Sequence, residues 1–276
     1  QKPELHPPTQ IQKDGLTDFV GAVTDGLLGA VAFDFRSPHD FVEAKKAWFF
    51  FDEAYVCVGT DINSNQKLSV VTTVNQVLLG SEVTVSQNGE IVKLPEGHHE
   101  LEKVNWVHQD KIGYIFPDSA TVNLSNQIQK GRWSDITDEK NISDEVVSEK
   151  VFMLWFNHGE RPQNASYQYI VVPNVTEAEL NEANDSKYDI EILMNTTEIQ
   201  GVKHLEHEVC QIAFYKAGEV ELSKDTTIRM DSQGMAMISM RGNKIEKLTV
   251  SDPSRKLSRV TMTISGIYHS VGEDFF

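Results

Sequence analysis

The chain has 276 residues, of which 39% are hydrophobic and 24% charged, with a formal net charge of −16. That length holds one large or two ordinary domains with a substantial core, and no run of eighteen apolar residues marks a membrane span. The acidic balance argues against nucleic acid as a partner, because phosphate binding needs clustered Lys and Arg.

Residues 1–15 are Pro-rich and polar and read as an extended arm or a cut linker. They lack the apolar centre of a signal peptide, and the first residue is not Met, so a processed product or a piece of a longer protein is expected. From Leu16 to Pro173 nearly every segment reads as strand. Ser37-Pro38-His39-Asp40 is the one early turn with helix-start character. Trp48-Phe49-Phe50-Phe51, a two-residue Asp52-Glu53 break and Ala54-Tyr55-Val56-Cys57-Val58 predict a hairpin. Bulky apolar groups on both sides of these strands require cover on both faces, which places the hairpin deep in a thick sandwich. Asp61-Ile62-Asn63-Ser64-Asn65 reads as a surface turn, and the β-branched run Val70–Gln76 as a strand. Asn88-Gly89 between Val83, Val85 and Ile91, Val92 is the strongest short hairpin signal, since both turn positions need positive φ.

Pro95–His99 reads as a polar loop and Val104–His108 as a strand. Residues 131–148 are acidic and poor in apolar groups, and predict a long surface loop or flap with Trp133 as its one large aromatic. Val151–Phe156 reads as a fully buried strand. Thr176-Glu177-Ala178-Glu179-Leu180 is a capping box, so a short helical linker over 176–187 is expected to separate a β-sandwich at 16–175 from a second β-unit at 188–276. In that unit the expected strands are Ile190–Met194, Val209–Tyr215, Thr226–Met230, Met235–Met240, Leu248–Val250 and Val260–Ile264, with turns at Gly218, Gly234 and Gly242. The fold class is therefore all-β: a large antiparallel sandwich followed by a small one. Cys57 and Cys210, the only cysteines, both sit in apolar runs and read as buried free thiols. The basic residues between Arg241 and Arg259 read as a solvated strand face.

Few residues suggest chemistry. His98-His99 point to opposite sides of any strand, and His204 and His207 would share a face only on a helix, so no metal site is expected at either. The Asp and Asn of 61–65 lack the closing Glu of a calcium loop. There is no Gly-rich phosphate loop, nucleophile elbow or paired-cysteine motif, and no cofactor is implied. His158, with Asn157, Gly159 and Arg161, is the most active-site-like cluster, the bland alternative being a turn with His158 bonded to backbone. Trp133 and Trp106, taken as exposed aromatics, together with His158 and Arg161, are the candidate substrate-binding residues.

Several segments resemble polysaccharide lyase family 8, which includes the chondroitin, hyaluronan and xanthan lyases. Asp18–Gly26, Ala30–Phe35 and Lys45–Gln76 are similar to its central β-domain, as are Ile112–Phe116, Asn157-His158-Gly159, Ala165–Tyr169 and Val172-Pro173. Leu248–Pro253 and Val260–Gly266 are similar to its small C-terminal β-domain. The resemblance implies β-elimination on a uronate-containing polysaccharide, with an Asn neutralising the carboxylate and a His and Tyr pair moving protons. Those residues belong to a helical toroid or to the segment next to it, and nothing here matches them, so no catalytic residue is assigned. The expected partners are the upstream helical domain of the same polypeptide and, through it, an acidic polysaccharide; the expected location is extracellular or periplasmic. The Asn-x-Ser/Thr sequons carry no weight in a chiefly bacterial family. A stand-alone carbohydrate-binding or adhesion module is the alternative reading.

Overall fold

The computed structural model describes residues 15–38, 41–136, 140–182, 188–242 and 244–266. Nearly all of the expected arm and the second half of the Ser37–Asp40 turn lie outside them.

The first part of the chain forms strands β1 (Val20–Thr24), β2 (Gly29–Arg36), β3 (Glu43–Phe50), β4 (Tyr55–Asn63) and β5 (Ser69–Leu78). These are followed by β6 (Thr84–Gln87), β7 (Glu90–Lys93), β8 (His98–Gln109), β9 (Ile112–Gly131), β10 (Val147–Glu160) and β11 (Ala165–Pro173). All eleven join one antiparallel sheet in the order β1-β2-β3-β4-β11-β9-β8-β6-β7, with β10 pairing β9 and β5. After helix α1 (Glu177–Glu182) come β12 (Ile190–Asn195), β13 (Ile199–His204), β14 (Val209–Phe214) and β15 (Gly218–Ser223). The last described strands are β16 (Thr226–Met230), β17 (Gly234–Arg241), β18 (Lys244–Ser251) and β19 (Met262–Ser265). They form a five-stranded sheet, β12-β13-β14-β17-β18, facing a three-stranded one, β15-β16-β19.

The aromatic hairpin forms as expected, with Phe50 opposite Tyr55 and Trp48 opposite Cys57. Its strands are covered on both faces except at Phe50, which is 41% exposed. Phe49, Val56 and Val58 pack with Val202, Ala213, Tyr215 and Met237 of the five-stranded sheet. On the other side Cys57 joins Tyr114, Phe152, Phe156, Tyr167 and Tyr169 in a second core enclosed by the large sheet's own strands. A third core, with Ile212, Phe214, Ile228 and Met230, lies between the two smaller sheets. The middle sheet is thus sandwiched twice, which is why all six residues of β14 are buried. Both cysteines are free and buried, and burial pushes each thiol up to about 12.

The Asn88-Gly89 hairpin is present, with φ of 53° and 81° at its two turn positions. The capping box is also made: Glu179 N–H donates to Thr176 Oγ1 at 3.2 Å, and Thr176 N–H donates to Glu179 Oε2 at 2.9 Å.

Other segments differ from expectation. Asp61–Asn63 continue β4 rather than turning. Asp61 sits at φ 55° where the β3–β4 register shifts, and its carboxylate takes Lys45 Nζ at 2.9 Å while Ile62 is buried. His98-His99 open β8 instead of lying in a loop, with His98 opposite Ser125. Val151–Phe156 is buried on alternate residues only, because β10 shows its other side to solvent. β13 and β15 were not foreseen. Gly201 and Lys203 dilute the pattern of β13, while short β15 does alternate, Val220 and Leu222 inward and Glu219 and Glu221 outward. Gly218 and Gly234 begin strands rather than forming turns. The C-terminal cations are partly paired across the molecule, Lys247 with Asp25 at 3.7 Å and Lys256 with Asp18.

Candidate functional site

β9 creates a groove by changing partners. One of its edges pairs with β8, while the other meets β11 at Ile112–Ile115 and β10 at Asn123–Gly131. Between those stretches β9 has no ladder partner on that edge, and Ser119 at φ 53° bends it. β10 and β11 diverge there and leave a cavity of about 460 Å³, lined by Phe116, Asp118–Thr121, Phe156–His158, Ser166–Gln168 and Asn195. A second hollow of about 610 Å³ shares Thr121 and Asn157 with it and extends past Asn123, Glu100, Glu102 and Lys103 to Asn88.

Strand alternation sets the chemistry of the walls. Phe152, Leu154 and Phe156 point inward from β10, and His158 is the next in that row, at the place where the row leaves the core. Its ring lies parallel to Phe156, 6.5 Å away, and its Nε2 is 2.9 Å from Thr72 Oγ1. His158 therefore belongs to a strand and bonds a side chain, not to a turn bonded to backbone. Burial, helped by the nearby Lys46 ammonium, lowers its pKa, so the ring is neutral at pH 7. Tyr167 continues the aromatic floor from β11, and burial pushes its phenol far up. The rim is made of amides and carboxylates. Gln168 Nε2 donates to Asp118 at 2.6 Å, and Asn195 Nδ2 donates to Tyr167 O at 3.0 Å. Among the lining residues Lys103 is the one permanent cation, against Asp118, Glu100 and Glu102.

The structure disperses the other candidates. Arg161 sits at φ 50° in the β10–β11 turn, exposed and outside the groove lining. Trp133 lies in a single 3-10 turn beyond β9, 58% exposed. Trp106, expected at the surface, is 6% exposed and packs in the core with Phe49 and Ile170; a hydrophobic indole on a half-buried strand is drawn inward. Asn157, named beside His158 in that cluster, does line the groove, while Thr121, Asp118 and Asn195 were missed. Nothing in the sequence announces where a strand changes partners.

His204 and His207 also escape the expectation. No helix is needed: the turn after β13 folds back, so the two rings lie 4.1 Å apart, and Glu53 reaches them from the β3–β4 hairpin.

Comparison with known proteins places the chain. Residues 1–184 match the model for the polysaccharide lyase family 8 super-sandwich domain, and 191–261 match that for the family's C-terminal beta-sandwich domain. The chain belongs to polysaccharide lyase family 8. It is 36% identical to the Chondroitinase-AC of Pedobacter heparinus over 255 residues, 91% of this chain and 35% of that protein. It is 32% identical to the xanthan lyase of Bacillus sp. strain GL1 over 188 residues, 64% of this chain and 20% of that one. A solved chondroitinase AC lyase superposes with a TM-score of 0.80 at 32% identity, covering 94% of this chain and 39% of its own. A Paenibacillus xanthan lyase superposes at 0.79 with 26% identity, covering 90% of this chain and 24% of its own. The chain thus spans about two fifths or less of the relatives it matches here. No helix among the described residues is long and apolar enough to cross a membrane.

Proposed function

We propose that this chain is the non-catalytic C-terminal half of a polysaccharide lyase that cleaves a uronate-containing polymer by β-elimination outside the cytoplasm. In this reading the two β-units buttress a helical toroid elsewhere on the same polypeptide, and the partner-switch groove forms one wall of the substrate cleft. The observation that carries it is the match of nearly the whole chain to the family's two β-domain models. Relatives named for chondroitin and xanthan support that substrate class.

The chemistry of the groove supports a wall rather than a reaction centre. β-Elimination needs a neutralised carboxylate and a positioned base together, since either alone leaves an unstable carbanion or a proton out of reach. His158 could accept a proton, but no cation lines its cavity to neutralise a uronate, the Asp118 carboxylate on the rim repels one, and the chain's net charge of −16 adds to that. Amides, hydroxyls and an aromatic floor suit sugar hydroxyls and ring faces instead.

The test is the ultraviolet absorbance of unsaturated uronate product from chondroitin sulfates, hyaluronan and xanthan. The purified 276-residue chain is expected to release none, while a protein joining it to the helical half of a relative is expected to turn over. Turnover by the chain alone, abolished by His158→Ala, overturns the reading. Tryptophan fluorescence titrated with chondroitin or hyaluronan oligosaccharides, wild type against Trp133→Ala, reports whether the β9–β10 tip contributes stacking; an identical response excludes it.

A further inference from the structure

A second cluster lies away from the groove, where the β3–β4 hairpin meets the five-stranded sheet. Glu53 occupies the two-residue break of the hairpin, His204 ends β13, and His207 stands in the turn before β14. His204 Nε2 is 3.1 Å from Glu53 Oε1, and His207 Nε2 is 3.7 Å from Glu53 Oε2. One ligand atom from each residue lies within 4.8 Å of the other two. His204 is fully buried.

Two observations set this cluster apart from an ordinary ion pair. His207 Nε2 is a buried nitrogen without a hydrogen-bond partner, which is costly unless something else occupies its lone pair. A tetrahedral ion with bonds of about 2.0–2.1 Å to nitrogen and oxygen separates its ligands by ~3.3–3.4 Å. The two measured edges, 3.1 and 3.7 Å, bracket that value.

We propose that Glu53, His204 and His207 form a binding site for a divalent transition ion of the Zn2+ class, clasping the large sheet to the five-stranded sheet. Two imidazoles and one carboxylate suit zinc or cobalt better than calcium or magnesium, which prefer all-oxygen shells. Three protein ligands leave a fourth position for water. The protons balance without a net loss. In the metal-free state His204 Nδ1 accepts the His207 backbone N–H at 3.3 Å, so the neutral ring carries its proton on Nε2 and donates it to Glu53. An ion at Nε2 requires the other tautomer. The proton moves to Nδ1, and the long His207 contact there opens.

The test uses Zn2+ and Co2+ added to the purified, chelator-stripped chain. Calorimetry is expected to show one Zn2+ per chain, with a rise in melting temperature. Bound Co2+ is expected to give the intense visible bands of a four-coordinate site with nitrogen ligands. His204 is too buried for a clean alanine variant, so the partly exposed ligands are changed instead. His207→Ala and Glu53→Gln are each expected to weaken Zn2+ at least about 100-fold, more than loss of an outer-shell partner does. Nitrogen-15 spectra of the histidine rings add a readout independent of any variant, since His204 should switch from the Nε2–H to the Nδ1–H form on loading. No Zn2+ or Co2+ uptake by the wild type, or equal uptake by the Glu53→Gln/His207→Ala double variant, overturns the proposal. The second outcome would assign the uptake to other histidines such as His98 and His99.

Discussion

Gly59 and Tyr167 face each other across β4 and β11, and the tyrosine ring lies directly over the glycine. A Cβ at Gly59 would stand 2.2 Å from the ring, so the side chain can stay only if no side chain opposes it. Gly59→Ala is therefore expected to cost about 1–3 kcal/mol, as overpacked cores do, and to move the groove floor; the urea midpoint measures it. His158 makes a pH prediction. Its folded pKa lies below the unfolded value of 6.5, chiefly through burial. The unfolded state therefore takes up a proton first as pH falls, so stability is complete above about pH 6.5 and declines below it until the folded ring also titrates. His158→Gln removes that component. The drop in urea midpoint from about pH 7.5 to about pH 5.5 should be smaller in the variant than in the wild type. Equal drops would mean that His158 titrates as it does in the unfolded chain.

At the scale of elements, α1 is short and held from both ends of its first turn. Thr176 and Glu179 exchange capping bonds, Glu177 Oε1 accepts the Thr84 hydroxyl at 2.8 Å, and Leu180 covers Gly113. Thr176→Ala is expected to cost ~1 kcal/mol, the usual value of an N-cap, with no change in fold; thermal unfolding against wild type checks it. This helix was legible because a capping box is a local code. So was the β6–β7 hairpin, because positive φ at two successive positions selects Asn-Gly. β13 was not, because its burial comes from two sheets facing it and leaves no alternation in Ile-Gln-Gly-Val-Lys-His. The extent of β9 was also hidden, since Pro117-Asp118-Ser119 looks like a turn and survives inside a strand only because no neighbour needs its edge there.

At the scale of the molecule, the large sheet and the five-stranded sheet meet through apolar contact crossed by a polar seam. Asn195 donates to Tyr167 O and Gly59 O, Gln200 donates to Lys45 O, and Gln211 donates to Phe50 O. The Tyr215 hydroxyl lies 2.7 Å from Gln200 Oε1 and 3.1 Å from Lys46 O. Such buried groups are tolerable only when partnered, so Tyr215→Phe should cost about 1–3 kcal/mol by stranding its acceptors. Because one core spans both sheets, wild-type unfolding is expected as a single transition by far-ultraviolet circular dichroism and by tryptophan fluorescence. Two separated transitions would show that the shared core does not couple the sheets.

The sequence by itself determined the all-β class, the buried aromatic hairpin, the capped helix and the family. Each of these is written in neighbouring residues, in composition, or in a resemblance that runs along the chain. Trp106 could not be placed from sequence, because whether an indole points into a core or a cleft depends on which sheet lies opposite. Nor could the groove, which exists because β9 pairs with β11 and then with β10. The same holds for Glu53 and His204, 151 residues apart and joined only where one sheet packs on another. Contacts of that kind are decided by the closing of the sandwich, a collective event that no local pattern encodes.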